Sequence, residues 1–176
     1  MFALVLLLII LGLIAYSVRL RNDLLSMRNS IDKSFAGIDM LLKQRHDELP
    51  KLLETCRPYL EHKQKALQSV VDARKAYTRA TSPSQKAQAD QRVSGAVRNL
   101  LAAALKNPNL KNNASFVQLQ ARIAQLQESV AGERDRYNAS VNSFNDRIAH
   151  APHALVARLA RLRAREVFEA IDTVDK

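Results

Sequence analysis

From Phe2 to Val18 the chain reads FALVLLLIILGLIAYSV, seventeen residues without a charge, and the next three are Arg19, Leu20 and Arg21. As a helix, a run of this length is at the short end of what spans a hydrocarbon core of about 30 Å. A cleaved secretory signal is also apolar, and Ala15-Tyr16-Ser17 offers it a small-x-small site. Such a signal carries basic residues ahead of its apolar stretch, whereas only Met1 precedes this one, so the run reads as an uncleaved transmembrane anchor. Lys and Arg beside a spanning helix resist translocation. Arg19, Arg21, Arg28 and Lys33 all follow the run. That orients the anchor at an inner, cytoplasmic membrane with the N-terminus outside and the C-terminal body in the cytoplasm.

The remaining stretch, roughly 155 residues, is one domain by length. Four glycines, five prolines, 5% aromatics and no tryptophan are too few for a mixed or β fold, while Ala, Leu, Arg, Gln and Lys favour helix. The expected class is all-α: an N-terminal transmembrane helix continuing into an antiparallel, up-and-down bundle of long helices, with 1–19 as anchor and 20–176 as body. The single cysteine, Cys56, lies between apolar positions and reads as a small buried residue.

The net charge of +10 raises nucleic acid as a partner, and the distribution of that charge argues against it. Arg28, Lys33, Lys43 and Lys65 alternate with Asp23, Asp32, Asp39 and Glu61, as on a solvated helix face. The chain lacks glycine-rich phosphate loops, zinc-type Cys/His spacing and Arg-interleaved aromatics for stacking bases. For a membrane-tethered body, anionic lipid headgroups are the nearer polyanion.

Apolar residues recur in steps of three and four at Leu24, Met27, Ile31, Phe35, Ile38, Leu42, Leu49, Leu52, Cys56, Tyr59, Leu67, Val70 and Tyr77. That seam predicts one first helix reaching to about Tyr77 and bent near Pro50, because the phase is kept across Pro50 and Pro58. Arg45, Lys63 and Arg74 interrupt the seam and are expected to leave the core edge or to snorkel. Ser82-Pro83-Ser84-Gln85 predicts the start of a second helix, with Ser82 as N-cap and Gln85 completing a capping box. Its apolar face runs from Val93 to Leu105, and it ends at Lys106-Asn107-Pro108-Asn109. Asn112 or Asn113 caps a third helix, which carries Phe116 to Ile148 and stops before Pro152. A short last helix is expected to align Leu155, Leu159, Leu162 and Phe168 on one side, with arginines on another. The second and third helices would then have to run end to end to cover the first. Seam left uncovered would promote self-association.

In order and spacing these residues resemble the LemA family. The likeness rests on Arg28-Asn29-x-Ile31-Asp32, Ile38-Asp39-x-x-Leu42-Lys43-x-Arg45-His46-Asp47-x-Leu49-Pro50-x-Leu52, Tyr59-x-x-His62 and Ala73-Arg74. It resumes with Pro108-x-Leu110-Lys111-x-Asn113-x-x-Phe116, Arg134-x-x-Tyr137-Asn138-x-x-Val141-x-x-Phe144-Asn145, Pro152 and Phe168-Glu169. The chain departs from the family pattern at Lys51, at Lys63, and at Gln127, which takes the place of an acid. The resemblance implies a membrane helix with a helical-bundle body and brings no enzymatic activity to carry onto residues.

Nothing in the chain assembles a reaction centre. A di-metal bundle needs Glu-x-x-His pairs on facing helices, and none occurs. His150 and His153, on either side of Pro152, make an unsupported pair. No serine or cysteine nucleophile has an identifiable base, so no catalytic residue, cofactor or metal is expected. Arg28, Asn29, Asp32, Asp39, Arg45, Asp47, Tyr137, Asn138 and Asn145 are expected to form a polar network between the first and third helices, fixing their register. Arg19, Arg21, Arg158, Arg161, Arg163 and Arg165 are expected at the membrane surface. The expected partners are the lipid bilayer, further copies of the chain as a homo-oligomer, and a membrane protein. The expected function is a self-associating, membrane-anchored scaffold without catalysis, with an adaptor for another envelope or membrane protein as the alternative.

Overall fold

The computed structural model describes residues 2–169; Met1 and residues 170–176 of the expected body lie outside the described residues. All regular structure among them is helical: α1 Phe2–Cys56, α2 Gln64–Arg79, α3 Pro83–Ala104, the single turn α4 Pro108–Lys111, α5 Ala114–Ala149 and α6 His153–Leu159. The chain divides into two compact units. Among the described residues, one comprises 2–34 with Arg136–Val167, and the other Phe35–Asp135 with Phe168 and Glu169.

The larger unit is a four-helix antiparallel bundle of the C-terminal half of α1, α2, α3 and the N-terminal half of α5. Its core holds Leu49, Leu52, Cys56, Val70, Val93, Val97, Leu100, Phe116 and Ile123, all buried. Pro50 sits inside α1, which continues through it as the apolar phase predicts. The expected extension to Tyr77 is not found. After Cys56 the backbone tightens into two short 3-10 turns, Arg57–Tyr59 around Pro58 and Glu61–Lys63, and α2 then folds back along α1. Arg74 of α2 reaches His46, and Tyr77 reaches Asp39. The reversal is favoured because it buries Leu60, Val70 and Ala73 in the same core as Leu49 and Leu52, which a straight continuation would have left in water. The Asn107 side chain holds the corner by donating to the Tyr59 carbonyl at 3.3 Å.

The capping signals are realised as read. The Ser82 hydroxyl accepts from the Gln85 N–H at 3.2 Å, and the Gln85 side chain accepts from the Ser82 N–H at 3.3 Å, with Pro83 at the first helical position. At the start of α5, Asn113 Oδ1 accepts from the Phe116 N–H at 3.0 Å. Caps of this kind contribute about 1 kcal/mol each by satisfying N–H groups that lack a partner inside the helix.

In the smaller unit, Leu24 and Ile31 of α1 are buried, as are Tyr137, Val141 and Phe144 of α5 and Ala157 of α6. The α1 seam is therefore covered at Leu24 and Ile31 here, and at Ile38, Leu42, Leu49 and Leu52 in the larger unit. The expectation of an uncovered seam is corrected: α2, α3 and α5 cover it in the larger unit, and α5 and α6 in the smaller. The expected last helix is corrected too. It stops at Leu159, and Leu155 and Leu159 are 64% and 87% exposed. From Leu162 to Val167 the chain runs as a strap without helix.

Candidate functional site

The strap is held by residues of α5. Asn145 Oδ1 accepts from the Arg165 N–H at 2.8 Å, and Asn145 Nδ2 donates to the Arg165 carbonyl at 2.9 Å. One residue further on, the Tyr137 hydroxyl donates to the Glu166 carbonyl at 2.7 Å. A segment without regular structure has no hydrogen-bond ladder of its own, so these side chains supply the partners that a helix would have supplied. Burial pushes the Tyr137 hydroxyl pKa up, and the Arg165 guanidinium pulls it the other way. That guanidinium donates to Asp32 Oδ1 at 2.7 Å, tying the strap to α1.

Entry to the strap is set by the end of α6. The Leu162 N–H donates to the Ala157 carbonyl at 2.9 Å and the Arg161 N–H to the Arg158 carbonyl at 3.2 Å, the paired bonds of a Schellman stop. The second donor occupies the position whose left-handed conformation usually selects glycine. Here it is Arg161, at φ 51°. The left-handed region costs a side-chain-bearing residue about 1–2 kcal/mol.

Strap, cap and helices line an open pocket of about 230 Å³ formed by Arg28, Phe144, Arg161, Leu162, Arg163, Ala164 and Arg165. Phe144 is buried, while Arg28, Arg161 and Arg163 are exposed and make no ion pair among the described residues. At the start of α6, His153 Nε2 lies 3.9 Å from Asp23, which also pairs with Arg147 of α5.

The larger unit carries a separate polar core. Arg45 is 1% exposed, and its Nη1 donates to Asp90 Oδ1 at 2.6 Å and to Ser94 Oγ at 3.0 Å, with Nη2 donating to Gln127 Oε1 at 3.3 Å. Instead of leaving the core edge or snorkelling, Arg45 is buried and paired. Burial pushes the Asp90 carboxyl up, with the Arg45 guanidinium opposing. Gln127 acts as a neutral acceptor, which leaves Asp90 as the counter-charge. Nearby, Asp39 pairs with Lys86 and accepts from the Tyr77 hydroxyl at 3.4 Å, while His46 Nε2 accepts from Arg74 Nε at 3.1 Å. Burial, then Arg74, holds His46 below its ordinary pKa, and Asp47 opposes them. Burial alone pushes the Cys56 thiol up to about 11, so it stays protonated.

The nine residues of the expected network thus fall into distinct groups. Asp32, Tyr137 and Asn145 hold the strap, and Arg28 lines the arginine cavity. Arg45 and Asp39 bond to α2, α3 and α5, Asn138 is half-buried beside Tyr137, and Asn29 and Asp47 lie exposed. Of the expected membrane-surface residues, Arg19 and Arg21 are exposed on α1 and Arg158 on α6, while Arg161, Arg163 and Arg165 line the cavity. Asp90, Ser94, Tyr77 and Lys86 were not anticipated from sequence. The one available signal was the Asp90/Ser94 spacing, one helical turn inside an otherwise apolar face.

The fold and its polar groups define an all-α helical bundle headed by an apolar helix. The chain belongs to the LemA family, whose model matches residues 34–176. Comparison with curated proteins returns no match.

Proposed function

We propose that this is a single-pass membrane protein, N-terminus outside and helical body at the cytoplasmic face, that works by binding and not by catalysis. The carrying observation is the head of α1. It contains an eighteen-residue window of mean hydropathy 2.5 with none of it buried, long and apolar enough to cross a membrane. An exposed apolar surface of this extent requires cover by lipid or protein. Arg19, Arg21, Arg28 and Lys33 beyond it support the inward orientation.

A second observation favours lipid contact by α6. His153 and Arg147 meet Asp23, only five residues past the apolar run, and α6 presents exposed Leu155 and Leu159 on either side of Arg158. Such a face suits the headgroup boundary, where each basic residue is worth about 1 kcal/mol.

Between a self-associating scaffold and an adaptor that recruits another membrane protein, the buried α1 seam favours the adaptor. The scaffold reading depended on that seam being open. Carbonate-washed membranes should retain the protein, and protease added outside intact cells should leave the body whole. In mild detergent the adaptor predicts a single-chain particle that brings down a stoichiometric second protein. A particle of many copies alone would restore the scaffold.

A further inference from the structure

We propose that the cavity lined by Arg28, Arg161, Arg163 and Arg165 is a binding site for a phosphate group, carried by a lipid headgroup or by a soluble phosphate. Two stretches distant in sequence bring arginines to it, α1 through Arg28 and the contiguous α6 cap and strap through Arg161, Arg163 and Arg165, with Phe144 of α5 beside them. Guanidinium groups present forked donors that match phosphate oxygens two at a time, which lysines do not. Arg28, Arg161 and Arg163 make no ion pair among the described residues, and Asp32 occupies only Arg165 at 2.7 Å. Clustered like charges favour an anion among them, an attraction weakened by solvent because three of the four arginines are exposed. Phe144, almost fully buried, forms the apolar base of the pocket.

The backbone gives an independent indication. Arg161 occupies the left-handed cap position at φ 51°, where glycine would sit unstrained, and its side chain lines the cavity. Strain retained at a position whose side chain faces a cavity is a mark of a site. Arg165 is clamped by Asn145 through both backbone groups, so this edge of the cavity is formed before any ligand arrives. The volume of about 230 Å³ accommodates a phosphate with a small substituent.

The lipid form of this proposal rests on the membrane reading above, and the soluble form does not. The test uses the full chain in an uncharged maltoside detergent. Calorimetric titration with inorganic phosphate in chloride buffer reads the soluble form, and native mass spectrometry from micelles doped with phosphatidic acid or phosphatidylcholine reads the lipid form. One equivalent of phosphate or of phosphatidic acid should bind, with a loss of about tenfold or more in Arg28→Gln/Arg163→Gln and in Arg161→Gly. Because Arg161→Gly relieves backbone strain, its loss of binding cannot be assigned to misfolding. Arg19→Gln/Arg21→Gln should bind as the natural chain does. Phosphate binding without lipid retention assigns the soluble source, and retention of phosphatidic acid over phosphatidylcholine assigns the headgroup. Absence of both, or equal weakening by the Arg19/Arg21 pair, overturns the site. Failure of the carbonate wash overturns the membrane reading and leaves the phosphate titration standing.

Discussion

The Asn145 side-chain amide closes on the backbone of Arg165 from both sides, accepting from its N–H at 2.8 Å and donating to its carbonyl at 2.9 Å. The amide thereby imitates one rung of a sheet between a helix and a strap without regular structure. Asn145→Ala removes both bonds and should cost about 1–3 kcal/mol. Hydrogen exchange should report it locally, with the Arg165 amide losing protection while the Phe116 amide at the α5 cap keeps its own. Asn145→Asp, which retains the acceptor and loses the donor, should fall between.

The buried pair Arg45–Asp90 should respond asymmetrically. Asp90→Ala leaves a guanidinium that is 1% exposed without its counter-charge, at a cost of about 3–5 kcal/mol. Arg45→Met replaces the cation by an apolar chain of similar length and leaves only the partly exposed Asp90 to be solvated, and should cost less. Denaturant unfolding of both variants decides this, and equal losses would contradict the account.

His46 makes the fold sensitive to acid. Its pKa is held below the ordinary 6.5, by burial first and Arg74 second, so the unfolded chain takes up its proton at higher pH than the folded one. Its contribution is therefore complete above about pH 6.5 and is lost as pH falls from there toward the folded pKa. His46→Gln, which can still accept from Arg74, should flatten the stability profile between pH 7 and pH 5. An unchanged profile would place the acid sensitivity elsewhere.

Arg161→Gly should raise stability by about 0.5–1 kcal/mol, the relief of the left-handed strain less the added freedom of the unfolded chain. Arg161→Ala keeps the strain and should gain nothing. Thermal unfolding of the two variants side by side separates backbone from side-chain effects.

Helix content, the caps at Ser82 and Asn113 and the passage of α1 through Pro50 were all legible in the sequence, because each depends on residues within four or five positions of one another. The end of α1 was not. An apolar phase kept across Pro58 is produced equally by a helix that continues and by a hairpin whose two arms face one core. Periodicity records which residues are buried and not against what. The candidate site was half legible: the arginines and the Tyr137/Asn145 spacing were visible, but not that the latter would clamp a strap. The composition of 160–167 favours helix, and side-chain bonds from α5 override it.

What the sequence determined by itself was therefore local: an uncharged apolar head, an all-α body, the capped starts of α3 and α5, and membership in a family recognised by ordered short motifs. What only the tertiary structure decided was partnership. It turned α2 back along α1, matched Arg45 with Asp90, covered the α1 seam and drew Arg28, Arg161, Arg163 and Arg165 around one cavity. Helix propensity and capping act over a few residues, whereas burial and charge pairing join positions such as Asp32 and Arg165, which are far apart in the chain and adjacent only once it has folded.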